Sequence, residues 1–146
     1  PANCGPISVL PSLARLFASV VREKLENYLS NAKLLSDNQI GSSKGFRTAD
    51  RIATLMTLMQ KKKLQQRKFH LVFIDLKNAF DTVHHSTLLQ RLKNLQVNPA
   101  ISRIIAALYE KSSFRLKITN GLAGAGHLIS NGVRQGCPIS PLFFNI

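Results

Sequence analysis

Phe73-Ile74-Asp75-Leu76-Lys77-Asn78-Ala79-Phe80-Asp81 is the stretch whose reading decides how this chain is understood. The apolar run 71–74 delivers a carboxylate, Asp75, to the end of what the pattern predicts to be a buried β-strand over residues 69–76. A carboxylate at a strand end costs too much to bury alone, so it needs a cation, a metal or water. Phe80 follows five residues later, with a second acid, Asp81, beside it. Asp81 reads as a turn or helix-capping residue, and Asp75-x5-Asp81 by its own spacing is a weak metal signal. The surrounding chain is strongly basic, which makes a metal-and-phosphate site the reading to test.

The 146 residues fit one domain with a real core, and 45% hydrophobic content is globular. Twenty Lys and Arg against seven Asp and Glu, a net charge of +13, predict a polyanionic partner such as nucleic acid. A solvated basic surface on a structural protein is the plainer alternative at this point. Cys4 and Cys137 lie far apart, and with His70, His84, His85 and His127 they show no zinc-ligand spacing. They suggest no disulfide framework, which favours a reducing, intracellular compartment. No apolar run approaches a membrane span. The chain starts at Pro1 and stops in an apolar segment, 141–146, so it reads as a piece of a longer protein.

Outward from the central stretch, the periodicity alternates between helix and strand. Prolines punctuate Pro6-Ile7-Ser8-Val9-Leu10-Pro11. Ser12 is placed to cap a helix to about residue 30, with Leu13, Leu16, Phe17, Val20, Val21, Leu25, Tyr28 and Leu29 as its apolar stripe. A polar loop over 31–47 leads to Thr48, read as the cap of a second helix to about residue 66, with Ile52, Leu55, Met56 and Met59 buried. That helix ends in Lys61, Lys62, Lys63, Arg67 and Lys68, which suit its dipole and could also contact phosphates. Beyond residue 81, helices are predicted over about 86–95 and, after Asn98-Pro99, about 100–111. Phe114, Leu116 and Ile118 alternate as in a half-buried strand. Asn120-Gly121 turns the chain, and a Gly/Ala-rich loop leads to a second strand over about 127–133. The fold class is α+β, with an antiparallel sheet packed on helices.

At this point two segments match a family. Phe73-Ile74-Asp75-Leu76-Lys77-Asn78-Ala79-Phe80-Asp81-Thr82-Val83 resembles the first catalytic motif of reverse transcriptases from non-LTR (LINE-type) retrotransposons. Residues 132–146, with Gln135-Gly136-Cys137-Pro138 at their centre, resemble the next motif, a Gln-Gly loop opening a helix. Residues 6–11 and 39–50 resemble the fingers motifs that precede them, so the resemblance spans nearly the whole chain. It implies a right-hand polymerase fragment: fingers over about 1–68, and about 69–146 the first part of a palm with inserted helices.

The resemblance also implies a chemistry. Asp75 and the backbone carbonyl of Leu76 would hold Mg²⁺, two ions serving the complete site. Phe80 would sit under the sugar of the incoming nucleotide and exclude a 2′-OH by bulk. Gln135 and Gly136 would flank the nascent base pair, glycine allowing close backbone approach, and Pro138 would open the following helix. The implied partners are an RNA template, a DNA primer or RNA–DNA hybrid, and deoxynucleoside triphosphates, with no membrane, in a nuclear setting. Two departures stand out: Gly5 and Ser43 occupy positions where the family carries arginine, and serine cannot replace a bidentate guanidinium on phosphate. Lys44 and Arg47 are candidate substitutes for those phosphate or template contacts. The family's adjacent pair of aspartates is not among residues 1–146, so the isolated piece is expected to be inactive. A non-catalytic, nucleic-acid-binding relic is the second reading; a viral RNA-dependent RNA polymerase fits Phe80 less well.

Overall fold

The computed structural model describes residues 7–146 except 37, 40, 43, 44, 46, 111, 119 and 120. The elements run α1 (Ser12–Asn31), α2 (Thr48–Leu64), α3 (His85–Asn94), α4 (Pro99–Tyr109), β1 (Ser113–Ile118), β2 (Gly121–Leu128) and α5 (Ser140–Asn145). The result is mixed: helices with one small antiparallel two-stranded sheet among the described residues. They fall into two compact units, one combining Pro1–Ser36 with Asn78–Ile146, the other Asp37–Lys77.

The first unit holds the core. On α1 the buried residues are Ala18, Val21, Leu25 and Leu29, spaced three and four apart as one helical face requires. They join Leu88 and Leu92 of α3, Val97, Ile105 and Tyr109 of α4, and Val133, Cys137, Ile139, Leu142 and Phe143 near the C-terminus. Leu25 and Leu92 are fully buried, each worth about 1.5–3 kcal/mol in apolar area removed from water. The Tyr28 hydroxyl shares its proton between the Leu95 and Gln96 carbonyls, each at 2.9 Å, and so ties α1 to the C-terminal end of α3. Asn98 caps α4, its Oδ1 accepting the Ala100 N–H at 2.8 Å, and Pro99 supplies a preset φ at the first helical position.

The helices lie close to their predicted bounds, but the faces they bury differ. The stripe expected on α1 merges two faces: Leu13, Leu16, Phe17 and Val20 are exposed, and Ala18 is buried instead. Ser12 is the first helical residue rather than the cap, a position Pro11 takes. Thr48 likewise lies inside α2; Arg47 precedes it, its N–H donating to the Asp50 carboxylate at 2.7 Å. No residue of α2 is buried, so Ile52, Met56 and Met59 face outward and Leu55 is only half covered.

Two predicted strands need correction. Residues 69–76 form no strand among the described residues, and Phe73 and Ile74 are exposed. An apolar run becomes a strand only when a neighbour pairs its N–H and C=O groups, and none of the described segments does so. The second strand runs from Gly121 to Leu128 rather than over 127–133, because the Gly/Ala-rich stretch pairs directly with β1, Phe114 opposite His127 and Ile118 opposite Gly121. A ladder is a backbone structure, so small residues take part in it where the turn brings them into register. Phe114, Leu116 and Leu128 of this hairpin are exposed, so an apolar sheet face packed on helices is not observed there.

Candidate active site

The segment after Asp75 folds into a tight turn. Asn78 adopts a positive φ of 53°, which asparagine tolerates, and its carbonyl accepts the N–H groups of Asp81 and Thr82 at 2.9 and 3.2 Å. Asp81 is thus a turn residue, one of the two readings, turn or helix cap, expected of it. The turn is zipped to the second motif: Val133 N–H donates to the Phe80 carbonyl and Gly132 N–H to the Val83 carbonyl, both at 2.8 Å. His84 and Asn131 complete this pairing as an antiparallel bridge. Gly132 is required there, since its φ is +89° and a Cβ would lie 3.1 Å from the Asp81 Cα. Phe80 is half-buried, its ring centroid 5.3 Å from that of Phe144 on α5.

The Gln135–Gly136 turn has its own support. The Gln135 carbonyl accepts the Ser8 N–H at 2.7 Å, so part of the proline-flanked segment 6–11 meets this turn. Gly136 has φ +100°, and a Cβ there would stand 2.8 Å from the Ser8 carbonyl oxygen. Only glycine admits both the angle and that approach. Arg22 of α1 donates to the Pro138 carbonyl at 3.3 Å while pairing with Glu26 at 3.3 Å. The helix that follows starts at Ser140, with Pro141 in its first turn, so Pro138 lies in the preceding turn and does not open it.

Behind these turns lies a cluster that spacing alone did not single out. His85 Nε2 sits 2.8 Å from the Gly132 carbonyl, and its ring lies 4.5 Å from that of Tyr109. The Arg134 guanidinium lies 5.6 Å from the Tyr109 ring centroid and donates to the Leu108 carbonyl at 2.9 Å and to Ser112 Oγ. Burial pushes the Tyr109 hydroxyl up to about 12, partly opposed by the Ser140 hydroxyl and by the Arg134 charge. Arg134 stands inside the matched segment 132–146 and His85 just beyond the other; no metal or nucleophile spacing marks them. A polar side chain beside each matched motif was the available signal.

The other expected site residues are not brought together by any described contact. Asp75 and Leu76 lie in the irregular segment 69–77 of the second unit, both exposed, with Leu76 at 62%. Arg47 is exposed at the start of α2. Lys44, Gly5 and Ser43 lie outside the described residues. Among the described residues no three His, Cys, Asp or Glu side chains converge as a metal cage. Asp75 and the Leu76 carbonyl are hard oxygen donors of the kind Mg²⁺ takes, and Mg²⁺ usually completes its shell with water and substrate phosphate. They suit part of such a shell and no more.

Comparison with known proteins covers the whole chain. A family model described as reverse transcriptase (RNA-dependent DNA polymerase) matches residues 2–146. The Pol polyprotein of the type-1 retrotransposable element R2 of Popillia japonica is 28% identical over 99% of this chain and 20% of its own length. The probable RNA-directed DNA polymerase from transposon BS of Drosophila melanogaster is 26% identical over 100% of this chain and 16% of its own length. The RNA-directed DNA polymerase from mobile element jockey of Drosophila funebris is 23% identical over 97% and 15%. The chain therefore spans a fifth or less of the length of these relatives. No described helix is long and apolar enough to cross a membrane.

Proposed function

This chain belongs to the reverse transcriptase (RNA-dependent DNA polymerase) family, and from that premise we propose that it is the fingers and first part of the palm of a retrotransposon polymerase that copies RNA into DNA. The observation that carries the reading is the pairing of the Phe80 turn with the segment leading into Gln135 and Gly136, at 2.8 Å on both backbone bonds. Two motifs far apart in the chain are joined by it.

In this reading fingers extend over about residues 1–68 and palm over about 69–146. Asp75 and the Leu76 carbonyl would hold Mg²⁺, and the rest of the complete site would include an adjacent pair of aspartates that residues 1–146 do not contain. When bound, two such ions stabilise the attacking and leaving oxygens of phosphoryl transfer. Phe80 presents its ring to the sugar of the incoming deoxynucleoside triphosphate. A rigid ring rejects a 2′-OH by collision, which is specificity by a built clash and not by added affinity. Phe144 packs against that ring, with the centroids 5.3 Å apart. Gln135 offers an amide to the template or nucleotide, and Gly136 lets the backbone lie close to the base pair. Lys44 and Arg47 contact phosphate, the RNA template or the DNA primer strand, and the parent protein works in the nucleus.

Primer extension tests this, in a polypeptide carrying residues 1–146 with an adjacent-aspartate segment. Phe80→Ala should retain extension and admit ribonucleotides; unchanged discrimination removes Phe80 from the nucleotide cleft. Gly5 and Ser43, standing where the family has arginine, favour the second reading of a nucleic-acid-binding relic. Activity that appears only after Gly5→Arg and Ser43→Arg would establish that reading.

A further inference from the structure

We propose that Arg134 is a positioning residue that holds the Gln135–Gly136 turn in its working geometry by anchoring it to the C-terminal end of α4. The inference rests on the reading of Gln135 as a nucleotide contact, and its structural half stands apart from that reading.

The last carbonyls of a helix have no partner within it and carry the negative end of its dipole. The Arg134 guanidinium occupies that place on α4, donating to the Leu108 carbonyl at 2.9 Å. A second bond reaches Ser112 Oγ, and Ser112 is buried. The carbonyl of Ser112 in turn accepts the Ile129 N–H at 2.8 Å, so the far end of the anchor is itself fixed. Beside it the Tyr109 ring lies 5.6 Å from the guanidinium and is held by His85 at 4.5 Å and Phe143 at 5.9 Å. The near end is the peptide that becomes Gln135. The Arg134 carbonyl accepts the Cys137 N–H at 3.1 Å across the turn, and the Gln135 carbonyl accepts the Ser8 N–H at 2.7 Å. Arg134 thus reaches α4 while its own backbone closes the turn that aims Gln135. A lysine would keep the charge at the helix end, but it has neither the planar fork nor the ring contact.

Two measurements decide it. Amide hydrogen exchange on the chain as it stands reads the anchor: Arg134→Ala should deprotect Ser8 and Cys137 selectively, Arg134→Lys should restore part of the protection, and the α1 core amides should not change. Unchanged protection at Ser8 and Cys137, or equal loss in α1, overturns the anchor. Primer extension in the polypeptide with the adjacent aspartates reads the function through a double-mutant cycle with Gln135→Ala. Arg134→Ala alone should raise the deoxynucleotide KM roughly tenfold, on the scale of one charge-assisted hydrogen bond, with a smaller change in kcat. In the Gln135→Ala background it should add little, because residues acting as one unit are not additive. Additive effects overturn the coupling. Deprotection with an unchanged KM leaves the anchor standing and overturns the nucleotide role given to Gln135.

Discussion

The two units of this molecule both carry helices with apolar residues and end in different physical states. In the first, α1 and α3 send Leu25 and Leu92 into full burial, and the chain's two far-apart motifs are pinned by backbone hydrogen bonds. In the second, Asp37–Lys77, no described residue is buried, although α2 and the run 71–74 carry Ile52, Met56, Met59, Phe73 and Ile74. Apolar periodicity specifies which face of a helix wants cover; it does not supply the cover. The Phe80 and Gln135 turns stand on the buried unit, and Asp75 on the exposed one.

That contrast sets the largest expected effect. Leu25→Ala or Leu92→Ala should destabilise the chain by about 2–5 kcal/mol in denaturant unfolding, as cavities in a fixed core do. Met56→Ala, at a residue 55% exposed, should fall within about 0.5 kcal/mol of zero. A large loss at Met56 would mean the second unit hides a core of its own. The glycines repeat the comparison at smaller scale. Gly136→Ala should cost about 2–3 kcal/mol, from its positive φ and the approach of the Ser8 carbonyl. Gly45→Ala, with φ +89° but nothing within 4 Å among the described residues, should cost about 1 kcal/mol.

The buried side can be probed through Tyr109. The folded state keeps the Tyr109 proton to about pH 12, whereas the unfolded chain releases it near 10.0. Stability from this group is therefore fully present below pH 10 and is lost as the pH rises toward 12, on the order of 3 kcal/mol in all. Tyr109→Phe should flatten that decline, read as the difference in unfolding midpoint between the two proteins. The smallest effect belongs to the exposed unit. Binding of RNA should weaken steeply with salt, and neutralising Lys61, Lys62 and Lys63 together should lower the slope of log K against log salt by about two. An unchanged slope would mean that the run only completes the end of α2.

What was legible in the chain follows the same division. Helix positions were readable because Asn98-Pro99 and the three-and-four spacing of Val21, Leu25 and Leu29 act locally. The two motifs were readable as sequence, and the pairing at Phe80 and Val133 joins them. The strand over 69–76 was not, since pairing is settled by a distant partner. Nor was the reach of β2, where Gly121–Leu128 looks like a loop by composition and becomes a strand through its register with β1. Arg134 and His85 were not, because each bonds a backbone carbonyl and meets Tyr109 of a separate helix, pairings that leave no trace in local spacing.

The most direct measurement is primer extension by residues 1–146 joined to an adjacent-aspartate segment, with Asp75 replaced by Asn and with Mg²⁺ present or chelated. Asp75 is exposed in the unit without a buried core, so Asp75→Asn should leave unfolding and nucleic-acid binding unchanged. Extension should vanish as completely as it does when the metal is removed. Extension that survives Asp75→Asn while remaining dependent on Mg²⁺ would contradict the assignment of this carboxylate as the metal ligand of a polymerase.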